Sequence, residues 1–177
     1  YGQQLGIPQE VTSSTFPQDM NGSQLAMASI GQYDVRTTPL QVAMMSSAIA
    51  NDGVQMKPTL VSKVRSSSLS TLYDFKAQQL RRSTTTPVAR QIKEWMVNDV
   101  DDGIASGAKV PGVEVAGKTG TAETGQDGLN DAWFTGFAPA DDPQVAVAIV
   151  YEDVDATTGA QLTSPGAQKI FEAVLDK

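Results

Sequence analysis

The chain has 177 residues, a formal net charge of −7, and neither Cys nor His. That excludes a Ser-His-Asp triad, a Cys nucleophile and an ordinary zinc site, so a serine acyl transferase would need Lys, Glu or Tyr as its base. The acidic balance repels phosphate backbones and argues against nucleic-acid binding. The length suits one domain with a real core. The apolar run 145–151 fits a buried strand and is far shorter than the roughly 20 residues of a membrane helix. No signal-peptide pattern is present and the chain opens at Tyr1, so it reads as an excised piece whose targeting signals lie elsewhere.

Residues 1–30 show little periodicity, and Gly2, Gly6, Pro8, Pro17 and Gly22 mark them as loop with short pieces of structure. Thr38-Pro39-Leu40-Gln41 supplies an N-cap, a first-position proline and a capping-box glutamine. The helix it opens runs to Asn51-Asp52-Gly53, with Leu40, Ala43, Met44 and Ala48 on its apolar face. Strands are expected over 59–64 and 69–75, and the Ser/Thr-rich stretches 62–70 and 83–86 belong to the surface. A second helix starts at Thr86-Pro87, buries Val88, Ile92, Trp95, Met96 and Val100, and stops by Gly103. Strands over 113–123, 132–138 and 144–152 have short polar connections and read as an antiparallel meander. A third helix starts at Ser164-Pro165 and buries Ile170, Phe171, Val174 and Leu175. The acidic clusters 99–102, 141–142 and 152–155 lack calcium-loop spacing and read as solvated turns and a helix end. Asp102 in a C-terminal turn is electrostatically unfavourable. No metal site and no cofactor are expected.

The chemistry concentrates in Val115-Ala116-Gly117-Lys118-Thr119-Gly120-Thr121-Ala122-Glu123. Acyl transfer on a peptide ending in a free carboxylate needs a cation and hydroxyls for the carboxylate, and an N–H for the developing oxyanion. Lys118 supplies positive potential in an acidic protein. Thr119 and Thr121, two apart, point to the same side of a strand. Gly120 lets a substrate backbone approach, and the Thr121 amide is a natural oxyanion donor. On the tripeptide alone the better reading is plainer: an edge strand with a protective Lys and a Gly bulge.

Two other matches compete. Gly112 to Thr119 fits the phosphate-loop pattern G-x-x-x-x-G-K-[ST], and 145–151 followed by Glu152-Asp153 imitates its acidic partner strand. Residues 105–111 are loop-like where a buried strand should stand, Glu114 would face phosphate, and Gly120, Gly125 and Gly128 break the helix required after Lys118. Ser106-Gly107-Ala108-Lys109 fits S-x-x-K, which works when Ser and Lys share a helix face a turn apart. Gly103, Gly107 and Pro111 disfavour a helix there, and Ser106 lies too close along the chain to Lys118.

Lys-Thr-Gly is one of three motifs that together mark penicillin-binding proteins and serine β-lactamases. Further blocks occur in order: Leu5-Gly6-Ile7-Pro8, Ser29-Ile30-Gly31-Gln32, Thr38-Pro39-Leu40-Gln41-Val42-Ala43, Ala48-Ile49-Ala50-Asn51-Asp52-Gly53, Lys57-Pro58 and Ala132-Trp133-Phe134-Thr135-Gly136-Phe137-Ala138-Pro139. Together they resemble the C-terminal part of the transpeptidase domain of a class B penicillin-binding protein, over essentially all of residues 1–177. The resemblance implies an α/β fold of the α+β type, an antiparallel sheet flanked by helices. It implies a D,D-transpeptidase acting on the D-Ala-D-Ala end of a peptidoglycan stem peptide, with β-lactams as mimics, on the extracytoplasmic face of the cell membrane. Lys118, Thr119, Gly120 and Thr121 would hold the carboxylate region, and the Thr121 N–H would serve the oxyanion. The S-x-N motif is absent and no S-x-x-K precedes this region, so the nucleophile is expected outside this chain and the chain alone to be inactive. It is expected to pair with the missing N-terminal part of its domain, or to cover its open surface as a dimer. The alternatives are a non-catalytic peptidoglycan- or β-lactam-binding module and a P-loop nucleotide-binding protein.

Overall fold

The computed structural model describes Ile7 and residues 11–175. The Leu5-Gly6-Ile7-Pro8 block therefore lies outside the described residues except for Ile7. Helix α1 (Gly22–Ser29) is a short piece of structure within a stretch expected to be mostly loop. It is nucleated by a local device, since the Asn21 side chain accepts from the Gln24 N–H and the Gln24 side chain accepts from the Asn21 N–H. Helix α2 (Pro39–Ala50) has the expected N-cap, the Thr38 hydroxyl accepting from the Gln41 N–H, but the Thr38 N–H donates to the Ser14 hydroxyl and not to a capping-box Gln41.

Strands β1 (Val54–Met56) and β4 (Gln79–Arg82) form an antiparallel ribbon that periodicity does not reveal, because its buried member is the polar Gln55. Gln55 is satisfied by Arg81, whose Nε donates to its Oε1 at 3.0 Å. Between them, among the described residues, β2 (Lys63–Arg65) and β3 (Thr71–Asp74) pair only with each other and form a separate hairpin arm. Strand thus covers only the end of the expected 59–64 stretch. β2 and β3 are exposed throughout, so no core stabilises a longer ladder.

Helix α3 (Thr86–Asp102) starts as expected, with Thr85 rather than Thr86 at the cap. Its buried stripe is Ala89, Met96 and Val100. The sequence pattern places Val88 and Trp95 inside, yet they are 48% and 62% exposed, about a quarter-turn round the helix from the buried stripe. A five-residue 3-10 turn, Ile104–Ala108, follows. The expected meander is present: β5 (Ala116–Glu123), β6 (Asn130–Ala138) and β7 (Val145–Val154) are antiparallel neighbours in that order. The β5–β6 ladder is continuous over eight residue pairs, so Gly120 marks no bulge.

Helix α4 (Ala156–Leu175) begins well before Ser164-Pro165. The carboxylate of Asp155 caps it by accepting the N–H groups of Thr157 and Thr158. Pro165 sits inside the helix. The carbonyl its ring leaves without a partner belongs to exposed Gln161, where water can replace the lost bond. Phe171 is buried, but Ile170 and Val174 are 40% and 41% exposed, contrary to expectation.

The core has two parts. α4 and the 3-10 turn supply Phe171, Ala167, Ala105 and Ala108 to a cluster with Phe134, Val115 and Val147. Phe134 meets Phe171 edge to face, ring centres 6.5 Å apart. A second cluster joins Ala116 and Phe137 to Ile49, Ile92 and Met96 of α2 and α3. The sheet is therefore covered by helices on both faces.

Candidate functional site: the Lys-Thr-Gly strand

Lys118 pairs with Thr135 across β5 and β6, and Thr119 and Thr121 pair with Phe134 and Ala132. Paired residues share a sheet face, so Lys118 lies on the Thr135 face and both threonines on the other. The Thr135 face belongs to α2. The Thr135 hydroxyl gives its one proton to the Val147 carbonyl at 2.9 Å, so Ser46 of α2 donates to it at 2.6 Å. Beneath the opposite face, Gly117 admits Phe134, because a Cβ there would stand 2.6 Å from the ring. Phe134 thus fills the space directly before the Lys-Thr-Gly triplet.

The Gln32 amide donates to the Thr121 carbonyl at 3.4 Å. Gln32 lies in the loop after α1, so the carbonyl it reaches points away from β6. The N–H and C=O of one strand residue point to the same side. The Thr121 N–H therefore also faces the outer edge of β5, as do the backbone groups of Thr119. Thr121 is exposed, Thr119 half-buried, and Gly120 open, with only the Trp133 Cβ at 3.4 Å from where its own Cβ would lie.

The Lys118 ammonium is 3.2 Å from an Asp99 carboxylate oxygen. Lys118 is among the residues lining an apolar cavity of about 670 Å³ between α2 and α3, with Met45, Ile49, Ile92, Trp95 and Thr135. Asp99 and Gln32 are the site neighbours that the strand motif does not reveal. The signal for Asp99 is an acidic residue in the last turn of α3, where the helix end is itself negative and no basic residue offsets it. Lys118 and Thr119 lie inside a strand and not at a helix N-terminus, so the phosphate-loop match has no cradle to act through. Ser106 sits exposed in the 3-10 turn, whose Gly107 packs on Pro165 of α4. Among the described residues no group of three His, Cys, Asp or Glu is placed to hold a metal ion, and no helix is long and apolar enough to cross a membrane.

Residues 1–176 match the model of the penicillin binding protein transpeptidase domain. The chain belongs to this family. It is 40% identical over 175 residues to the peptidoglycan D,D-transpeptidase PbpA of Mycolicibacterium smegmatis, covering 96% of this chain and 35% of that protein. PbpA of Mycobacterium tuberculosis is 38% identical over 174 residues, covering 95% of this chain and 35% of that protein. Among solved structures, the imipenem acyl-enzyme complex of penicillin-binding protein A from M. tuberculosis superposes with a TM-score of 0.84 at 37% identity, over 95% of this chain and 38% of that one. Penicillin-binding protein 3 from the same organism, complexed with aztreonam, gives 0.83 at 27% identity, over 99% and 43%. The fold is thus the mixed helix-and-antiparallel-sheet architecture of these transpeptidase domains, and the chain spans about a third of the curated relatives it matches.

Proposed function

We propose that this chain is the C-terminal part of the transpeptidase domain of a peptidoglycan D,D-transpeptidase, and that β5 is its substrate-binding edge. The observation that carries this reading is the outward-facing Thr121 backbone on an open strand edge beside Lys118, Thr119 and Gly120. An extended peptide ending in D-Ala-D-Ala lies along this edge. Its carboxylate takes the Thr119 and Thr121 hydroxyls in the field of Lys118, and the attacked carbonyl oxygen, as it becomes an oxyanion, accepts from the Thr121 N–H. Gly120 keeps the strand open to the substrate backbone. The serine that attacks, and the lysine that takes its proton, lie outside this chain. Attack expels the terminal D-Ala, which leaves with a proton, and an amine from a neighbouring stem peptide resolves the acyl-enzyme into a cross-link. β-Lactams enter as mimics of the dipeptide. The substrate places the reaction on the extracytoplasmic face of the cell membrane.

Intact-mass analysis after incubation with penicillin tests the reading on the full-length protein and on this chain alone. A single adduct is expected on the full-length protein and none on the chain. An adduct on the chain would make Ser106 or another local serine the nucleophile. Saturable binding to the full-length protein with no adduct would make it a non-catalytic binding module.

A further inference from the structure

Asp99 is a partly buried charged group beside the proposed substrate edge. Its side chain is 19% exposed, against 59% for Lys118. One carboxylate oxygen accepts the Ile104 N–H at 3.1 Å, and the other meets the Lys118 ammonium at 3.2 Å. Gly103 makes room for it, since a Cβ at that position would fall 2.3 Å from the oxygen bonded to Ile104. The Ile104 N–H thus anchors one carboxylate oxygen and leaves the other facing the lysine. It also stands in the last turn of α3, where the helix end disfavours a negative charge. Lys118 is the cation that offsets this.

A lysine is a point charge on a flexible stem, and holding it in one place costs rotamer freedom. A partly buried counter-ion anchored by the Ile104 N–H offsets that cost in the folded state, so the ammonium is already located when a substrate arrives. We infer that Asp99 is a positioning residue that fixes the Lys118 ammonium for acyl transfer. This inference rests on the transpeptidase reading above.

The test uses the full-length protein and penicillin. Asp99→Asn keeps an oxygen for the Ile104 N–H and removes the charge facing Lys118. The second-order acylation rate is expected to fall about 10- to 100-fold, the scale of a misplaced positioning group. In a Lys118→Ala background the same substitution is expected to cause no further loss, because the group it acts through is gone. An unchanged rate in Asp99→Asn, or an equal loss in both backgrounds, overturns the positioning role while leaving the transpeptidase reading intact. A wild-type protein that forms no adduct overturns that reading and the positioning role with it. A second measurement needs no variant: acetic anhydride is expected to label Lys118 more slowly than exposed Lys109. Equal labelling overturns the pairing.

Discussion

One substitution made twice on the same strand separates packing from access. At Gly117, a new Cβ stands 2.6 and 2.8 Å from two Phe134 ring carbons and 3.0 Å from a Val100 methyl. Carbon atoms pack at about 3.5–4.0 Å, so the ring must retreat by roughly 1 Å. It has nowhere to go: Phe134 and Phe171 are 0% exposed and Val100 is 1% exposed. Overpacking of this kind costs about 1–3 kcal/mol. Gly117→Ala therefore lowers the melting temperature, by less per kcal/mol the larger the cooperative unit that unfolds. At Gly120, the Trp133 Cβ is 3.4 Å away, an ordinary contact. Gly120→Ala is therefore expected to be neutral to slightly stabilising, by up to about 1 kcal/mol, through the unfolded chain. Thermal unfolding of the two variants in the full-length protein decides the matter. Equal shifts, or a neutral Gly117→Ala, would refute the packing argument. The stable Gly120→Ala protein then reports on function, because its methyl group narrows the proposed substrate edge. Acylation by penicillin at the wild-type rate would refute that role for Gly120.

Other expectations follow from single contacts. Thr135→Val strips the partner of buried Ser46 and of the Val147 carbonyl together and should cost about 1–3 kcal/mol; Ser46→Ala removes one bond and should cost about 1 kcal/mol, both read as shifts in denaturation midpoint. The Thr158 hydroxyl, and after it the Thr158 N–H, hold the Asp155 carboxyl below the usual carboxylate range. A depressed carboxyl adds stability that is present above its unfolded pKa and is lost as pH falls through the folded one. Asp155→Asn should therefore lower the melting temperature at pH 7 and leave it unchanged well below pH 4; an equal loss at both pH values would show that charge is not involved. Ser106→Ala should leave the mass increment and the yield of the penicillin adduct unaltered. Sedimentation of this chain alone at low micromolar concentration should show self-association, because among the described residues β5 and β7 are both open edges of a three-stranded sheet.

Legibility in the sequence followed the strength of local signals. Thr38-Pro39 and the meander were readable because cap chemistry and period-two burial act within a few residues. Ser164-Pro165 misled because the same pair that opens α2 is carried in the interior of α4, where a carbonyl open to water makes the proline tolerable. Trp95 and Val88 misled because helical spacing gives two apolar stripes on α3, and only the tertiary contacts of Ala89 and Val100 decide which one turns inward. The strand motif placed Lys118, Thr119, Gly120 and Thr121 together, since neighbours in sequence are neighbours in space. Asp99 lies 19 residues from Lys118 and Gln32 lies 89 from Thr121. Pairings at such separations are made by the fold and leave no periodic trace.

The β2–β3 arm has an engineering use. Its strands bond to each other, and its base is clamped where the Lys57 N–H meets the Gln78 carbonyl at 2.9 Å, directly beyond the Met56–Gln79 pair. A closed neck of this kind isolates what hangs from it. The tip around Leu69, whose backbone already adopts a left-handed turn, is thus a position where an epitope or fluorophore peptide can be spliced without disturbing the Lys-Thr-Gly strand.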